Sequence, residues 1–396
     1  MSPLWLSSGL WVAAAMLAPI TAGAETLPPT YAELYKPHGV DEIGIWQDAD
    51  EDERRLTASP RVIRDEALTG YVKGVLCETV GPERCKAARV YIVRTPIFNA
   101  SMAPNGTVRV FSGLLLRMRS EAELATVLGH EFGHFQSRHS VKLFKAERGA
   151  SDVLSWAGLL AAMYPGRDTR RMFGDLRYSV LGHYFRYGRD TEREADRISI
   201  GYLNAGRLRP QVASEVWQHA IAEGLASAAA KGLRKPRYDT IAFADSHPPN
   251  AERAATLAAL AALEGIGRDD GAARYASAMA PFLPQWLDDQ IRLNDFGASA
   301  YVIEHLAEGG WTAPLWLARG DLYRLRGNPR DLVAATDFYA KAVALDPQLA
   351  DAQRGLGLSL IKTGRRVEGQ AALGRYLALR PDAPDAATIA MLAKEP

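Results

Sequence analysis

Two histidines four residues apart, with a glutamate directly after the first, are the residues of this sequence best suited to chemistry. They are His130, Glu131 and His134, in the run His-Glu-Phe-Gly-His. On an α-helix, positions i and i+4 share one face, so both imidazoles can reach a single metal ion. The carboxylate of Glu131 then lies beside them and can take a proton from a metal-activated water. The spacing predicts a metal-dependent hydrolase with two histidine ligands and a glutamate base.

A catalytic zinc ion needs a third protein ligand and one position left open for water. The best candidate lies in the acidic run Glu192-Arg193-Glu194-Ala195-Asp196. Glu192 and Asp196 are four residues apart and share a helix face. We therefore expect Glu192 to bind zinc and Asp196 to accept a hydrogen bond from a ligand histidine or a reaction intermediate. Glu194 is the competing ligand, but it points away from the face of Asp196.

Two helices must position these residues. Ser120 and Glu123 form a capping box at a helix start, and apolar residues then recur at helical spacing through both histidines. The second helix is predicted to begin at Asp190 or Thr191 and to end at Ala205, before a glycine.

Strands are predicted upstream of the first helix. The runs 89–93 and 107–111 are rich in β-branched and aromatic residues, and Asn105-Gly106 between them is a turn signal. This pattern predicts antiparallel strands. The expected fold class is α+β and mostly helical, with a small antiparallel sheet.

The first 24 residues have the pattern of a secretory signal peptide. An apolar run, Leu10–Ile20, precedes Ala22-Gly23-Ala24, which fits a cleavage site before Glu25. The run is short for a membrane span. No basic residue precedes it, so an uncleaved apolar tail is the alternative. We expect export to a periplasm with cleavage after Ala24.

Net charge and cysteine content narrow the possible classes of partner and the possible redox state of the chain. The formal net charge is +1, so no large basic field is present and nucleic acid is excluded as a partner. The two cysteines, Cys77 and Cys85, both lie in the exported part. In an oxidising compartment they can form one disulfide, and the alternative is two unpaired core thiols.

The C-terminal part contains an internal repeat. Pro347 and Pro381 are 34 residues apart, and each closes a helix after an Ala-Leu pair and one charged residue. This period resembles tetratricopeptide repeats, which are helix pairs stacked into a concave binding surface. We therefore predict an all-α, tetratricopeptide-like domain over residues 285–396. A generic helical domain that binds nothing is the alternative.

The pairing of H-E-x-x-H with E-x-x-A-D resembles the gluzincin peptidases that include the CAAX prenyl proteases and the HtpX proteases. The signal peptide and the repeats make BepA-type periplasmic proteases, which act in outer-membrane protein quality control, the closest likeness. The lack of multiple membrane spans separates this chain from the prenyl-protease and HtpX branches. Further segments that resemble the family are Asn99-Ala100-Ser101, Pro104-Asn105-Gly106, Ser112-Gly113-Leu114-Leu115, Glu123-Leu124-Ala125, Arg138-His139, and Ser246-His247-Pro248-Pro249 with Arg253.

This resemblance implies a zincin-type metallopeptidase domain, which we predict over residues 25–280 and which includes the lid-like segment 150–189. One zinc ion per chain is implied, held by His130, His134 and Glu192. Glu131 is then the base that activates water.

The resemblance also assigns roles around the metal. Asp196 is implied to support the site or to donate a proton. His247 is implied to reach the active site, either to stabilise the oxyanion or to bind zinc as an inhibitory fourth ligand, and Arg253 is the other candidate for oxyanion stabilisation. Asn99, Ala100 and Ser101 are implied to lie on an edge strand that pairs with the substrate backbone.

The implied function is hydrolysis of peptide bonds in misfolded or unassembled envelope proteins. The implied partners are such unfolded proteins and, through the repeats, the outer-membrane assembly machinery. Segment 150–189 separates the two ligand helices in sequence, so it can cover the active site as a lid or contact a membrane surface. The alternative is that its arginines form an ordinary solvated face. One alternative is a chaperone-like adaptor that acts through its repeats and has a gated zinc site. The other is a structural zinc protein, which requires four protein ligands and no open position.

Overall fold

The computed structural model describes residues 28–32, 35–163, 167–239 and 248–394, so the predicted signal peptide lies outside the described residues. Helices dominate the described part, and the prediction of a mostly helical α+β fold is confirmed. The strands are β1 (Val62–Ile63), β2 (Arg89–Val93), β3 (Ala100–Met102) and β4 (Thr107–Phe111). The helices are α1 (Gly39–Ala58), α2 (Glu66–Val80), α3 (Pro82–Cys85), α4 (Ser112–Arg117), α5 (Glu121–Gln136), α6 (His139–Met163), α7 (Arg167–Ala205), α8 (Val212–Ala230), α9 (Asn250–Leu260), α10 (Ala272–Met279), α11 (Leu283–Ile291), α12 (Phe296–Leu306), α13 (Ala313–Arg326), α14 (Pro329–Leu345), α15 (Ala350–Lys362), α16 (Arg366–Leu379) and α17 (Ala386–Lys394).

The sheet is mixed, and the prediction that it is antiparallel is wrong. The strand order is β1-β2-β4-β3; β2 and β4 run parallel, and the two outer strands run antiparallel to their neighbours. The Asn105-Gly106 turn joins β3 to β4, not β2 to β4. With only three residues, β3 is too short to show a sequence period. Gly106 has φ +87°, and a Cβ there would lie 2.1 Å from the carbonyl oxygen of Ala87, so the turn requires glycine.

The helix that carries Glu192 is much longer than predicted. Helix α7 begins at Arg167 instead of Asp190 or Thr191, and it ends at Ala205 as expected. Gly188 lies just before the predicted start, but one glycine inside a helix costs only about 1 kcal/mol, which packing can offset. The described residues of the lid-like segment 150–189 therefore form the end of α6 and the first part of α7, two helices that pack together.

One large buried core connects the sheet with the helices around it. It contains side chains from β2, β4, α2, α5, α7 and α8, and also Trp286 of α11 and Leu315 of α13. The first helices after residue 280 thus share a core with the helices before it. Two smaller clusters, around Tyr339 and around Leu373, lie in the last helices. The division into domains at 280–285 stays a prediction.

The last five helices form a consecutive array. Each of α13 to α16 packs against the helix that follows it. The ring of Tyr339 in α14 lies against both Gly320 of α13 and Gly355 of α15, where a Cβ would approach its Cε1 to 2.6 Å and 2.4 Å. Stacked helix pairs of this kind are what a 34-residue period predicts. Membership of the tetratricopeptide family stays a prediction.

Cys77 of α2 and Cys85 of α3 form a disulfide, the first of the two alternatives considered. The bond closes a loop around Gly81, where α2 ends and α3 begins. Because it restricts the unfolded chain, a double Cys77→Ala, Cys85→Ala variant is expected to lose about 2–3 kcal/mol of unfolding free energy.

Chemical denaturation of the oxidised chain and of this variant measures that loss. The same two unfolding curves recorded with reducing agent are the control, since only the unsubstituted chain should then lose stability. Equal midpoints in the absence of reducing agent would show that the disulfide does not constrain the unfolded state.

Candidate metal centre

Helix α5 carries both histidines of the H-E-x-x-H motif. The hydroxyl of Ser120 accepts a hydrogen bond from the N–H of Glu123 at 3.1 Å, and the Glu123 carboxylate accepts one from the N–H of Arg119 at 2.6 Å. The first bond is the N-cap half of the predicted capping box. The second differs from the pattern, because the Glu123 carboxylate bonds the N–H of the residue before the N-cap and not that of Ser120. From Ala122 onwards the helix is buried, and it reaches His130 with little exposure. The helix is thus fixed at its start and along its length before the histidines.

Small residues let α7 approach α5 closely enough for Glu192 to reach the histidines. A Cβ on Gly133 would lie 3.2 Å from the Cα of Ala195, and a Cβ on Gly129 would lie 3.1 Å from the hydroxyl of Ser199. That hydroxyl donates a 2.6 Å hydrogen bond to a main-chain carbonyl of α5. Two pairs of small residues, each four apart, therefore face each other at the crossing. The sequence patterns considered above did not include this requirement.

Three donor groups converge beside this crossing. Nε2 of His130 lies 3.0 Å from Nε2 of His134. Oxygens of the Glu192 carboxylate lie 3.5 Å from the first nitrogen and 3.2 Å from the second. Ligand atoms around a tetrahedral zinc ion with bonds of roughly 2.0–2.1 Å are about 3.3 Å apart. Among the described residues, this is the group of three His, Cys, Asp or Glu donors that comes close enough to share an ion.

The tautomers of both histidines also fit a metal ion. Nδ1 of His130 lies 2.9 Å from Oδ1 of Asp196, so we assign the proton to Nδ1 and a lone pair to Nε2. Nδ1 of His134 lies 2.9 Å from Nδ1 of His139, and the same assignment leaves its Nε2 with a lone pair. Two lone pairs and a carboxylate at these separations repel one another unless a cation lies between them.

The charges around the centre also favour a positive charge there. Burial lowers the pKa of His130, but its hydrogen bonds with Asp196 and Glu192 outweigh this effect and raise the pKa to about 9. Burial raises the pKa of Asp196, but hydrogen bonds from His130 and Arg253 hold it below its ordinary value. Burial raises the pKa of Glu131 against the opposing effect of the histidines.

Arg253 of α9 holds Asp196 in place. Its Nε and Nη2 donate hydrogen bonds of 2.8 Å and 2.6 Å to the two oxygens of that carboxylate. Nη2 also lies 3.2 Å from Nδ1 of His130. The ring of Trp217 in α8 stacks on the guanidinium, whose Cζ is 3.5 Å from the ring centroid. Because the guanidinium lies on the Nδ1 side of His130, the geometry favours an orienting role for Arg253 over oxyanion stabilisation.

His139 lies beside the ligand His134, as Asp196 lies beside the ligand His130. The turn that brings it there passes through Arg138, which has φ +54°. Burial lowers the pKa of His139 to about 4, so the ring is neutral. Oε2 of Glu194 lies 3.3 Å from its Nε2, and the same carboxylate accepts a 3.0 Å hydrogen bond from Ser137. Glu194 thus lies away from the donor cluster, as predicted, and contacts the residue that orients a ligand.

The edge strand β3 lies next to the metal-binding helix. It contacts α5, and in the described part of the chain no strand pairs with its outer side. The carbonyl of Asn99 and the N–H of Ala103 bond to β4. Because hydrogen-bonded positions alternate in an antiparallel pair, the main-chain groups of Ala100 and Met102 point away from β4. Ser101 lies between them, and its main-chain groups point toward β4.

The structure therefore brings together most of the predicted site residues. His130, His134 and Glu192 share one centre, with Asp196 directly behind it. His247 lies outside the described residues, and its role stays a prediction. Trp217 was missed because a lone tryptophan on an ordinary helix carries no sequence signal.

The comparisons with known proteins agree with this geometry. The model of peptidase family M48 matches residues 65–261, which include every donor described above. A mitochondrial metalloendopeptidase OMA1 from Arabidopsis thaliana is 32% identical over 154 residues, or 38% of this chain and 27% of that protein. The metalloprotease YcaL of Escherichia coli is 32% identical over 169 residues, or 42% of this chain and 58% of that protein.

A third relative is the beta-barrel assembly-enhancing protease of Yersinia pestis. It is 27% identical over 210 residues, which cover 50% of this chain and 43% of that protein. In all three cases the chain spans less than two thirds of the relative's length.

Proposed function

Because this chain belongs to peptidase family M48 through its residues 65–261, we propose that it is a zinc-dependent endopeptidase. The observation that carries this proposal is the convergence of His130, His134 and Glu192 on one point. Glu131 follows the first ligand on the same helix, where a metallopeptidase needs its base. The three donors that meet there are the number of protein ligands that a catalytic zinc site uses.

Each side chain of the centre has a separate role in the proposed hydrolysis of a peptide bond. A metal ion held by the three donors would supply Lewis acidity, which polarises the scissile carbonyl and acidifies water. Glu131 takes the proton from the attacking water and passes it to the leaving amine. Asp196 keeps the proton of His130 on Nδ1, and His139 does the same for His134. Both ligands thus keep the orientation that metal binding requires.

The proposed substrates are misfolded or unassembled envelope proteins. The outward main-chain groups of Ala100 and Met102 can pair with an extended peptide, and an unfolded protein supplies such a segment without first breaking its own structure. The similarity to the beta-barrel assembly-enhancing protease of Yersinia pestis supports this class of substrate.

We propose a periplasmic location for the mature chain. The pattern of residues 1–24 supports export. The disulfide between Cys77 and Cys85 supports an oxidising compartment, where such bonds persist. The helical array α13–α17 is then proposed to be a tetratricopeptide-type surface that binds the outer-membrane assembly machinery.

The direct test is cleavage of unfolded casein by the purified chain, with and without metal. Removal of the metal with a chelator is expected to stop cleavage, and addition of one equivalent of zinc should restore it. Zinc analysis should give one ion per chain, and the chelated sample should stay folded by circular dichroism. Cleavage that persists in a metal-free sample would refute the zinc mechanism, whereas bound zinc without cleavage would favour the structural or adaptor alternatives.

The proposed role of the edge strand gives a separate prediction. Proline at position 100 removes an outward N–H from β3 and is tolerated best on an edge strand. Loss of one main-chain hydrogen bond of about 1 kcal/mol is expected to raise KM roughly five- to tenfold, with zinc content unchanged. Steady-state kinetics on an extended peptide measure this change.

The control for this variant is Ser101→Ala, which alters a neighbouring side chain and leaves the outward main chain intact. It should keep KM within about twofold of the unsubstituted value. An unchanged KM for Ala100→Pro would exclude pairing of the substrate at this position.

A further inference from the structure

The outer part of helix α6 stands away from the core. Of its residues 142–159, none is buried. The helix packs mainly against α7 and makes smaller contacts with α1 and α5. Its half-buried apolar positions recur at helical spacing and form a single stripe. These positions are Leu143, Ala146, Ala150, Leu154 and Ala157.

A second apolar set on α6 faces solvent. Val153, Trp156 and Leu159 recur every third residue, and their exposed fractions are 46%, 68% and 51%. Neighbours at this spacing lie side by side on the helix surface and make one ridge. A contiguous exposed apolar ridge with a tryptophan at its centre indicates a binding surface.

The net charge of the sequence of α6 and the first part of α7 indicates the kind of surface that the ridge fits. Residues 139–190 contain nine Lys or Arg and five Asp or Glu, a net charge of +4, whereas the whole chain carries +1. Arginines at positions 167, 170 and 171 occupy the first turns of α7, just after the end of α6. Exposed tryptophan and aliphatic residues in a segment of net positive charge are typical of segments at the membrane–water interface.

We propose that the end of α6 docks on an anionic phospholipid surface through Val153, Trp156 and Leu159. The ridge enters the interfacial layer while the net positive charge of residues 139–190 is attracted to lipid phosphates. No helix in the described part of the chain has the length and apolar composition of a membrane span. This docking is independent of the peptidase chemistry and would hold the metal centre near a membrane.

The test is binding of the chain that starts at Glu25 to vesicles of pure phosphatidylglycerol or pure phosphatidylcholine, measured by flotation. Binding to phosphatidylglycerol is expected to be at least about tenfold tighter, and to weaken when salt is raised to about 1 M. Trp156→Ser should weaken it about tenfold. Leu263→Ser is the matched control, because Leu263 is 75% exposed but lies outside α6 and α7.

Casein cleavage by Trp156→Ser should equal that of the unsubstituted chain, which shows that the variant is folded and separates this proposal from the proposed peptidase. Equal binding of both lipids, or unchanged vesicle binding by Trp156→Ser, would overturn the docking proposal. The last measurement is sedimentation of the unsubstituted chain and of Trp156→Ser without lipid. If Trp156→Ser dissociates an oligomer there, the ridge is a protein interface and the membrane proposal fails.

Discussion

Replacement of Glu131 by glutamine is expected to reduce kcat for peptide hydrolysis by roughly 10²- to 10⁴-fold. Glutamine keeps the size and shape of the side chain but cannot take a proton from water. The three metal donors are unchanged, so zinc content should remain at one ion per chain. Cleavage of casein or of a quenched fluorescent peptide, together with metal analysis of the same sample, measures both quantities.

The matched control is Glu147→Gln, the same substitution at an exposed position of α6. It should leave both activity and zinc content unchanged. If Glu131→Gln retains a tenth or more of the activity, another group must act as the base. A cellular effect that survives this substitution would instead favour the adaptor alternative, in which the helical array carries the function.

Local rules explain which parts of the site the sequence predicts. His130 with His134, and Glu192 with Asp196, are each four residues apart, so the helix period alone puts each pair on one face. The capping of α5 by Ser120 follows from a local pattern as well. The chemistry of zinc then requires that the two helices meet, which is why the ligand set can be proposed before the structure is known.

The features that were missed depend on contacts between distant segments. The parallel pairing of β2 with β4 is a tertiary choice, because β3 is too short to show a period and the turn signal fits either partner. Arg253 and Asp196 are 57 residues apart, and only the packing of α9 against α7 brings them together. The small residues at the α5–α7 crossing are required by close contact between the two helices, which the sequence alone does not reveal.

Substitution of Arg253 by alanine is the second change with a large expected effect. It leaves the carboxylate of Asp196 buried without its bidentate partner, and Arg253 itself is only 5% exposed. Loss of one partner from a buried ion pair costs about 3–5 kcal/mol of unfolding free energy. Because Asp196 then no longer fixes His130, zinc affinity is expected to fall about 10- to 100-fold.

Two further variants separate the loss of stability from the loss of zinc affinity. They are Arg253→Lys and the double variant Arg253→Ala, Asp196→Ala. Lysine keeps the charge but lacks the planar fork, so it should recover stability better than it recovers zinc affinity. The double variant removes the unpaired buried charge and should regain much of the lost unfolding free energy. Its zinc affinity should stay low, because nothing then holds Nδ1 of His130. Competition with a chelator of known affinity and chemical denaturation give the two readings. If Arg253→Ala binds zinc as tightly as the unsubstituted chain, Arg253 only stabilises the fold and does not orient the metal ligand.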